Sequence, residues 1–296
     1  MGCHDVVVWP NIAWAVTYCM MHLSNAISRR RLIRAGVMAA AIYDGKAIGQ
    51  NKLRALALIG DRYHNPDYIH IALEKVFGPL GIKTDYTIDY TSIASSLLKS
   101  YDLFLILRDG MIWPQGYLGP DAYTAYEQGV ENKSEFPAPK SVPWITEEQA
   151  QAIQEFVNNG KGFYALHNSS NISVYSKTYR ELMGGAYIGH PTLRPFKVRI
   201  TNHNHPITNG IQDFMVTDEQ HYVAYDKDPK YILAESENVD GLDYEGRGTK
   251  SPAAWAYEYG KGRLVFTAVG HTIHALWVPQ HLELQKRAVE WLVREL

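Results

Sequence analysis

A chain of 296 residues, 46% hydrophobic and 20% charged, is long enough for one large domain or two small ones. Its net charge of −2 and pI near 6.6 lack the basic footprint of a nucleic-acid binder, so no nucleic-acid partner is expected. The only two cysteines, Cys3 and Cys19, lie near the start, so the rest of the chain has neither an internal disulfide nor a thiolate metal site.

Residues 1–52 differ in character from the remainder of the chain. Ser28-Arg29-Arg30-Arg31-Leu32-Ile33-Arg34 precedes a short, weakly apolar run from Ala35 to Ile42, and Ala47-Ile48-Gly49 offers small residues for cleavage. This resembles a twin-arginine export signal and predicts a periplasmic or exported protein. The alternatives are a basic amphipathic or disordered leader on a cytoplasmic protein, and a true start at Met20 or Met21. The apolar run is too short for a membrane span.

From Leu53 the chain alternates strand and helix patterns. Leu53–Gly60 is a strand-like apolar run, and Pro66 opens a helix through Ile69, Leu73, Val76 and Phe77. Thr84–Asp89 reads as a second strand, Ile93–Leu98 as a short helix, and Tyr101–Leu107 as a strand covered on both faces. Residues 109–145, rich in Gly, Pro and Tyr, read as a long loop of the kind that often carries function. Thr146 caps a helix that turns Ile153, Phe156 and Val157 inward. Lys161–Leu166 forms the next strand. Then come a helix near Tyr175–Met183, strands at Phe196–Thr201 and Tyr231–Ser236, a hairpin over Ala253–Val269 turning at Gly260-Lys261-Gly262, and a final amphipathic helix over Leu282–Leu296. The order predicts a doubly wound, mainly parallel sheet with an additional β-hairpin region, in which the segments 53–60, 101–107 and 161–166 lie side by side.

Polar residues gather where these strands stop, and the carboxyl ends of parallel strands are where ligands bind. His64 follows the first strand, Arg108 the third, and His167 and Asn168 the fourth, so their side chains are expected to converge. His190, the run Asp218-Glu219-Gln220-His221-Tyr222, and His271 add imidazoles and carboxylates. Such groups can shuttle protons near neutral pH or ligate zinc, manganese or iron. No HExxH or CxxC pattern is present, so a divalent metal stays an open possibility; if one binds, His64, His167, His190 and His271 are the candidate ligands. His203 and His205 read as turn residues before Pro206.

In order, "GKGFYALHNSS", "LMGGAYIGHP", "NHPITNGIQDFMVTDEQHY", "PAAWAYEYGKGRLVFTAVGHT" and a closing tryptophan-bearing helix resemble the ThuA-like (trehalose-utilisation) family over residues 53–296. The resemblance implies a flavodoxin-like fold of the class I glutamine amidotransferase type. In that fold an exposed strand-to-helix elbow carries a nucleophilic cysteine. Here the elbow holds His167-Asn168-Ser169, so thioester glutaminase chemistry is ruled out.

The resemblance further implies carbohydrate metabolism, with a disaccharide or keto-sugar as small-molecule partner and hydrolysis or isomerisation as the reaction. The candidate catalytic residues are His167, Glu219 and Asp218. The candidate binding residues are His64, Arg108, Asn168, His190, Tyr222 and His271. Adjacent residues of an extended segment face opposite ways, so Glu219 is expected to face the pocket and Asp218 a structural partner. The run at 218–222 is one residue longer than the family's usual Asp-Glu-x-Tyr, which leaves the aim of Tyr222 and the role of His221 open. A non-catalytic sugar-binding module and a metal-dependent hydrolase are the alternatives, and homo-oligomerisation is compatible with each.

Overall fold

A computed structural model describes residues 53–116 and 140–295. The leader and most of the long loop lie outside the described residues. No helix among the described residues is long and apolar enough to cross a membrane.

The three apolar segments form adjacent parallel strands. β1 (Arg54–Ile59) lies between β2 (Lys83–Thr87) and β3 (Leu103–Leu107), and β3 pairs with β6 (Gly162–Leu166). β13 (Gly262–Thr267) joins β6 in parallel. Beyond it the sheet turns antiparallel through β12 (Lys250–Tyr259), β11 (Ile232–Glu237), β8 (Arg194–Ile200) and β9 (Phe214–Asp218), completing nine strands. The expected hairpin is β12–β13. The antiparallel half is larger than the sequence pattern predicts, so the sheet is mixed rather than mainly parallel. Two two-stranded ribbons flank it: β4 (Met111–Ile112) with β5 (Val142–Pro143), and β7 (Gly185–Gly189) with β10 (Tyr222–Tyr225).

Side-chain alternation sends each parallel strand into two cores. Ala55, Ala57, Ile59, Leu103, Leu105, Leu107, Tyr164 and Leu166 pack with α1 (Pro66–Phe77) and α7 (Pro279–Leu292). Leu56, Leu58, Phe104, Ile106, Phe163 and Ala165 pack on the other face with α3 (Glu147–Asn158) and α5 (Lys177–Met183). Helix starts coincide with their caps. Asn65 accepts the Asp67 N–H before Pro66-led α1, and Thr146 with Gln149 forms a reciprocal capping box on α3. Short helices α2 (Ser95–Leu98), α4 (Ile172–Tyr175) and α6 (Ile273–Leu276) fill the connections. With covered faces on both sides, the polar ends of β1, β3, β6 and β13 are left at one edge of the sheet.

Candidate functional site

Past the end of β1, the His64 Nδ1 lies 3.0 Å from both carboxylate oxygens of Asp61. Asp61 also accepts the Asn168 amide at 2.9 Å and the Asp109 backbone N–H at 2.8 Å. Burial pushes this carboxyl up, but the His64 hydrogen bond and charge, aided by Asn168 and Asp109, outweigh it and hold it down at about 2. An ionised Asp61 fixes the proton of His64 on Nδ1 and leaves Nε2 with its lone pair, 3.1 Å from Nδ1 of His271.

His167 begins the turn after β6 with φ of +49°, the left-handed region that few non-glycine residues adopt. Such strain, at a strand-to-helix elbow, tends to mark a functional position. The imidazole is fully buried, and its Nδ1 lies 2.7 Å from the Ala268 carbonyl, which takes that proton and leaves Nε2 with its lone pair. Gly270 makes this packing possible: a Cβ there would stand 2.8 Å from the Cβ of His167.

At the end of β9 the two acids part. The Asp218 Oδ2 accepts the N–H groups of Gly270 at 2.7 Å and His271 at 3.3 Å, so it anchors the loop that carries His271. Burial pushes its carboxyl up. Glu219 faces the imidazoles. Its Oε2 lies 3.1 Å from Nδ1 of His271, and 3.5, 3.5 and 3.7 Å from Nε2 of His167, His190 and His221. Burial pushes Glu219 up, yet the surrounding imidazoles of His167, His221 and His271 hold it far below the usual carboxylate range. Burial lowers His167 and His221 and so keeps them neutral; His271 is lowered by burial but raised on balance by Glu219.

Three of these four separations exceed the 2.7–3.2 Å typical of an N–H···O bond. Those to His271 and His167, 3.1 and 3.5 Å, match the spacing of ligand atoms around one ion, about 3.0–3.5 Å for metal–ligand bonds of 2.0–2.2 Å. The donors of His64, His167, Glu219 and His271 lie within 4.8 Å of one another. His64 and His167 each engage a carboxylate or carbonyl through the other ring nitrogen, the outer-shell arrangement usual for metal-binding histidines.

His64 and Glu219 of this cluster open on a cavity of about 490 Å³, also lined by Asn168, His190, His221, Tyr63, Trp113, Tyr187 and Asp109; His167 and His271 sit behind them. Burial and the charge of Asp61 push the Asp109 carboxyl up to about 7. The unfolded chain releases that proton near 3.8, so between the two values the folded state binds more protons and loses stability as pH rises. Asp109→Asn, which stays neutral, is therefore expected to raise the unfolding free energy at about pH 8, by up to about 4 kcal/mol, and to leave it nearly unchanged at about pH 4. Denaturant unfolding at the two pH values checks this.

The structure gathers His64, His167, Asn168, His190, Glu219 and His271, with Glu219 inward and Asp218 turned to the backbone. It sets three expected residues, Arg108, Tyr222 and Asp218, apart from this group. Arg108 does not converge with His64 and His167. Its guanidinium donates to the Gly60 carbonyl, stacks over Tyr90 and lines a neighbouring cavity of about 340 Å³. Tyr222 is buried at the head of β10, donating to the Gly248 carbonyl at 3.0 Å, accepting from Asn238 at 3.2 Å and packing on Tyr244. His221 lies in the site, and Tyr222 is turned away from it. Asp218, expected to be catalytic, is a fully buried anchor. Asp61 and Asp109 were missed, although both lie just past strands that end at this edge. His205 sits in a turn, where its Nδ1 accepts the Ile207 N–H at 3.2 Å.

Solved structures share this fold. A ThuA-like protein from Parabacteroides merdae is 16% identical with a TM-score of 0.59, over 83% of this chain and 91% of that one. A second, from Bacteroides uniformis, is 15% identical with a TM-score of 0.57, over 83% and 94%. No curated protein matches the chain significantly. The family model described as ThuA, trehalose utilisation, matches residues 134–292, which carry His167, Asn168, His190, Asp218, Glu219, His221 and His271. On that match, over more than half its length, the chain belongs to the ThuA (trehalose utilisation) family.

Proposed function

We propose that this protein is an enzyme of carbohydrate metabolism that acts on a disaccharide, or on a keto-sugar derived from one, by metal-assisted chemistry. The observation that carries the reading is the set of four donors from His64, His167, Glu219 and His271, mutually within 4.8 Å and beside an open cavity. Imidazole and carboxylate donors suit zinc, manganese or iron. An ion there would supply a Lewis acid for a carbonyl or hydroxyl oxygen, or lower the pKa of a bound water.

The chain's own residues do the rest. Asp61 and the Ala268 carbonyl set the tautomers of His64 and His167. Asp218 holds His271 in place through its backbone. Asp109, at about 7, is poised to take or give a proton near neutral pH, as both hydrolysis and isomerisation require. Tyr63, Trp113 and Tyr187 give the cavity an aromatic wall against which the apolar side of a sugar can rest. Family membership supports the substrate class.

The test is turnover of trehalose and of its 3-keto derivative by cation-loaded and chelator-stripped protein. Loaded protein is expected to convert one of them, releasing monosaccharide if it hydrolyses or an isomer if it isomerises, and stripping is expected to abolish conversion. Turnover unchanged by stripping contradicts the metal reading, and binding without turnover contradicts the enzyme reading.

A further inference from the structure

The imidazoles around Glu219 fall into two sets that share Glu219 and no histidine: His64, His167 and His271 in one, His190 and His221 in the other. Each set has its own ligand atoms within 4.8 Å of one another and no histidine belongs to both, so an ion held by the first set leaves the second without a role in its coordination. Yet the second set is built as a site in its own right. His190 is held by the Pro191 carbonyl, 2.8 Å from its Nδ1, so its Nε2 is directed at Oε2 of Glu219. His221 is only 2% exposed; its Nδ1 has no hydrogen-bond partner among the described residues, and its Nε2 stands 3.7 Å from Oε2, beyond hydrogen-bond range. Its ring stacks on His167 at 3.9 Å and lies nearly parallel to His190 at 5.3 Å. A buried imidazole with neither nitrogen well bonded is costly, and here it is tolerated at a position where its Nε2 and that of His190 converge on one carboxylate.

We infer that His190, His221 and Glu219 form a second divalent-cation site, and that Glu219 bridges two ions in a dinuclear centre. This inference rests on the reading of the first set as a metal site. All three residues line the 490 Å³ cavity, so with three protein donors the second ion keeps positions open to water or to substrate oxygens. Two adjacent ions of this kind clamp both oxygens of a displacement, or two neighbouring oxygens of a polyol or keto-sugar.

The test is the stoichiometry of Mn²⁺ bound by the full-length protein after chelator stripping, measured by calorimetric titration and by electron paramagnetic resonance. We expect about two ions per chain and a spin-coupled signal, falling to about one ion and an uncoupled signal in His190→Ala/His221→Ala. If loss of buried His221 prevents folding, His190→Ala alone, at a half-buried position, is expected to weaken the second ion at least tenfold and leave the first. One ion in both wild type and variant overturns the second site while leaving the metal reading intact. No bound ion overturns both, and two ions retained in the variants overturn the ligand assignment.

Discussion

Glu219→Gln is expected to weaken divalent-cation binding by well over the 10–100-fold that loss of an outer-shell partner costs, and to abolish turnover with it. Oε2 of Glu219 lies within 3.7 Å of four imidazole nitrogens, and Glu219 is the only carboxylate in either donor set. Glutamine keeps the volume but removes the charge, and an amide nitrogen turned toward the cluster is no ligand at all. The side chain is not part of either hydrophobic core, so the fold should survive. Competition against a chelator, with circular dichroism as the folding control, measures the effect. Retention of wild-type affinity by the Gln protein contradicts the role given to this carboxylate.

His167→Ala is expected to lower turnover by well over about 10–100-fold, the cost of losing even an outer-shell partner of a metal, and unlike Glu219→Gln it should also destabilise the protein. Its place at a strand end suggests an exposed site residue with little packing; the structure instead buries it fully, between the His221 ring and the Gly270 backbone. Alanine leaves a void and strands the Ala268 carbonyl without its donor, a cost of about 1–3 kcal/mol. His167→Asn separates the two effects. Asparagine tolerates the positive φ and can still donate to that carbonyl, but it has no second ring nitrogen to offer a cation beside Glu219. The Asn protein should therefore unfold nearer to wild type while remaining as inactive as the Ala protein. Recovery of activity in His167→Asn would contradict a role for the Nε2 lone pair.

The parallel half of the sheet was legible in the sequence because β1, β3 and β6 are buried on both faces and read as unbroken apolar runs. The helix start at Thr146 was legible because capping chemistry is local. The antiparallel half was less so. β9 alternates buried and exposed residues over only five positions, and β7 and β10 form a ribbon whose pairing is set by tertiary contacts.

The same division runs through the candidate site. His64 and His167 converge because they lie just past parallel strands, and Glu219 opposes Asp218 because neighbours in an extended segment alternate. Which of His221 and Tyr222 enters the site is decided by the turn into β10, and no local pattern reports that. Asp61 and Asp109 act through burial and mutual charge, which arise only once both strand ends lie side by side.

The most direct measurement of the central claim is anomalous diffraction from crystals of the full-length protein soaked in Zn²⁺ or Mn²⁺, recorded at the metal edge. A peak is expected about 2.0–2.2 Å from Nε2 of His64, Nε2 of His167, Nδ1 of His271 and a carboxylate oxygen of Glu219. A soaked crystal with no peak in this cluster, and with the imidazoles joined to Glu219 by ordinary hydrogen bonds, would contradict it.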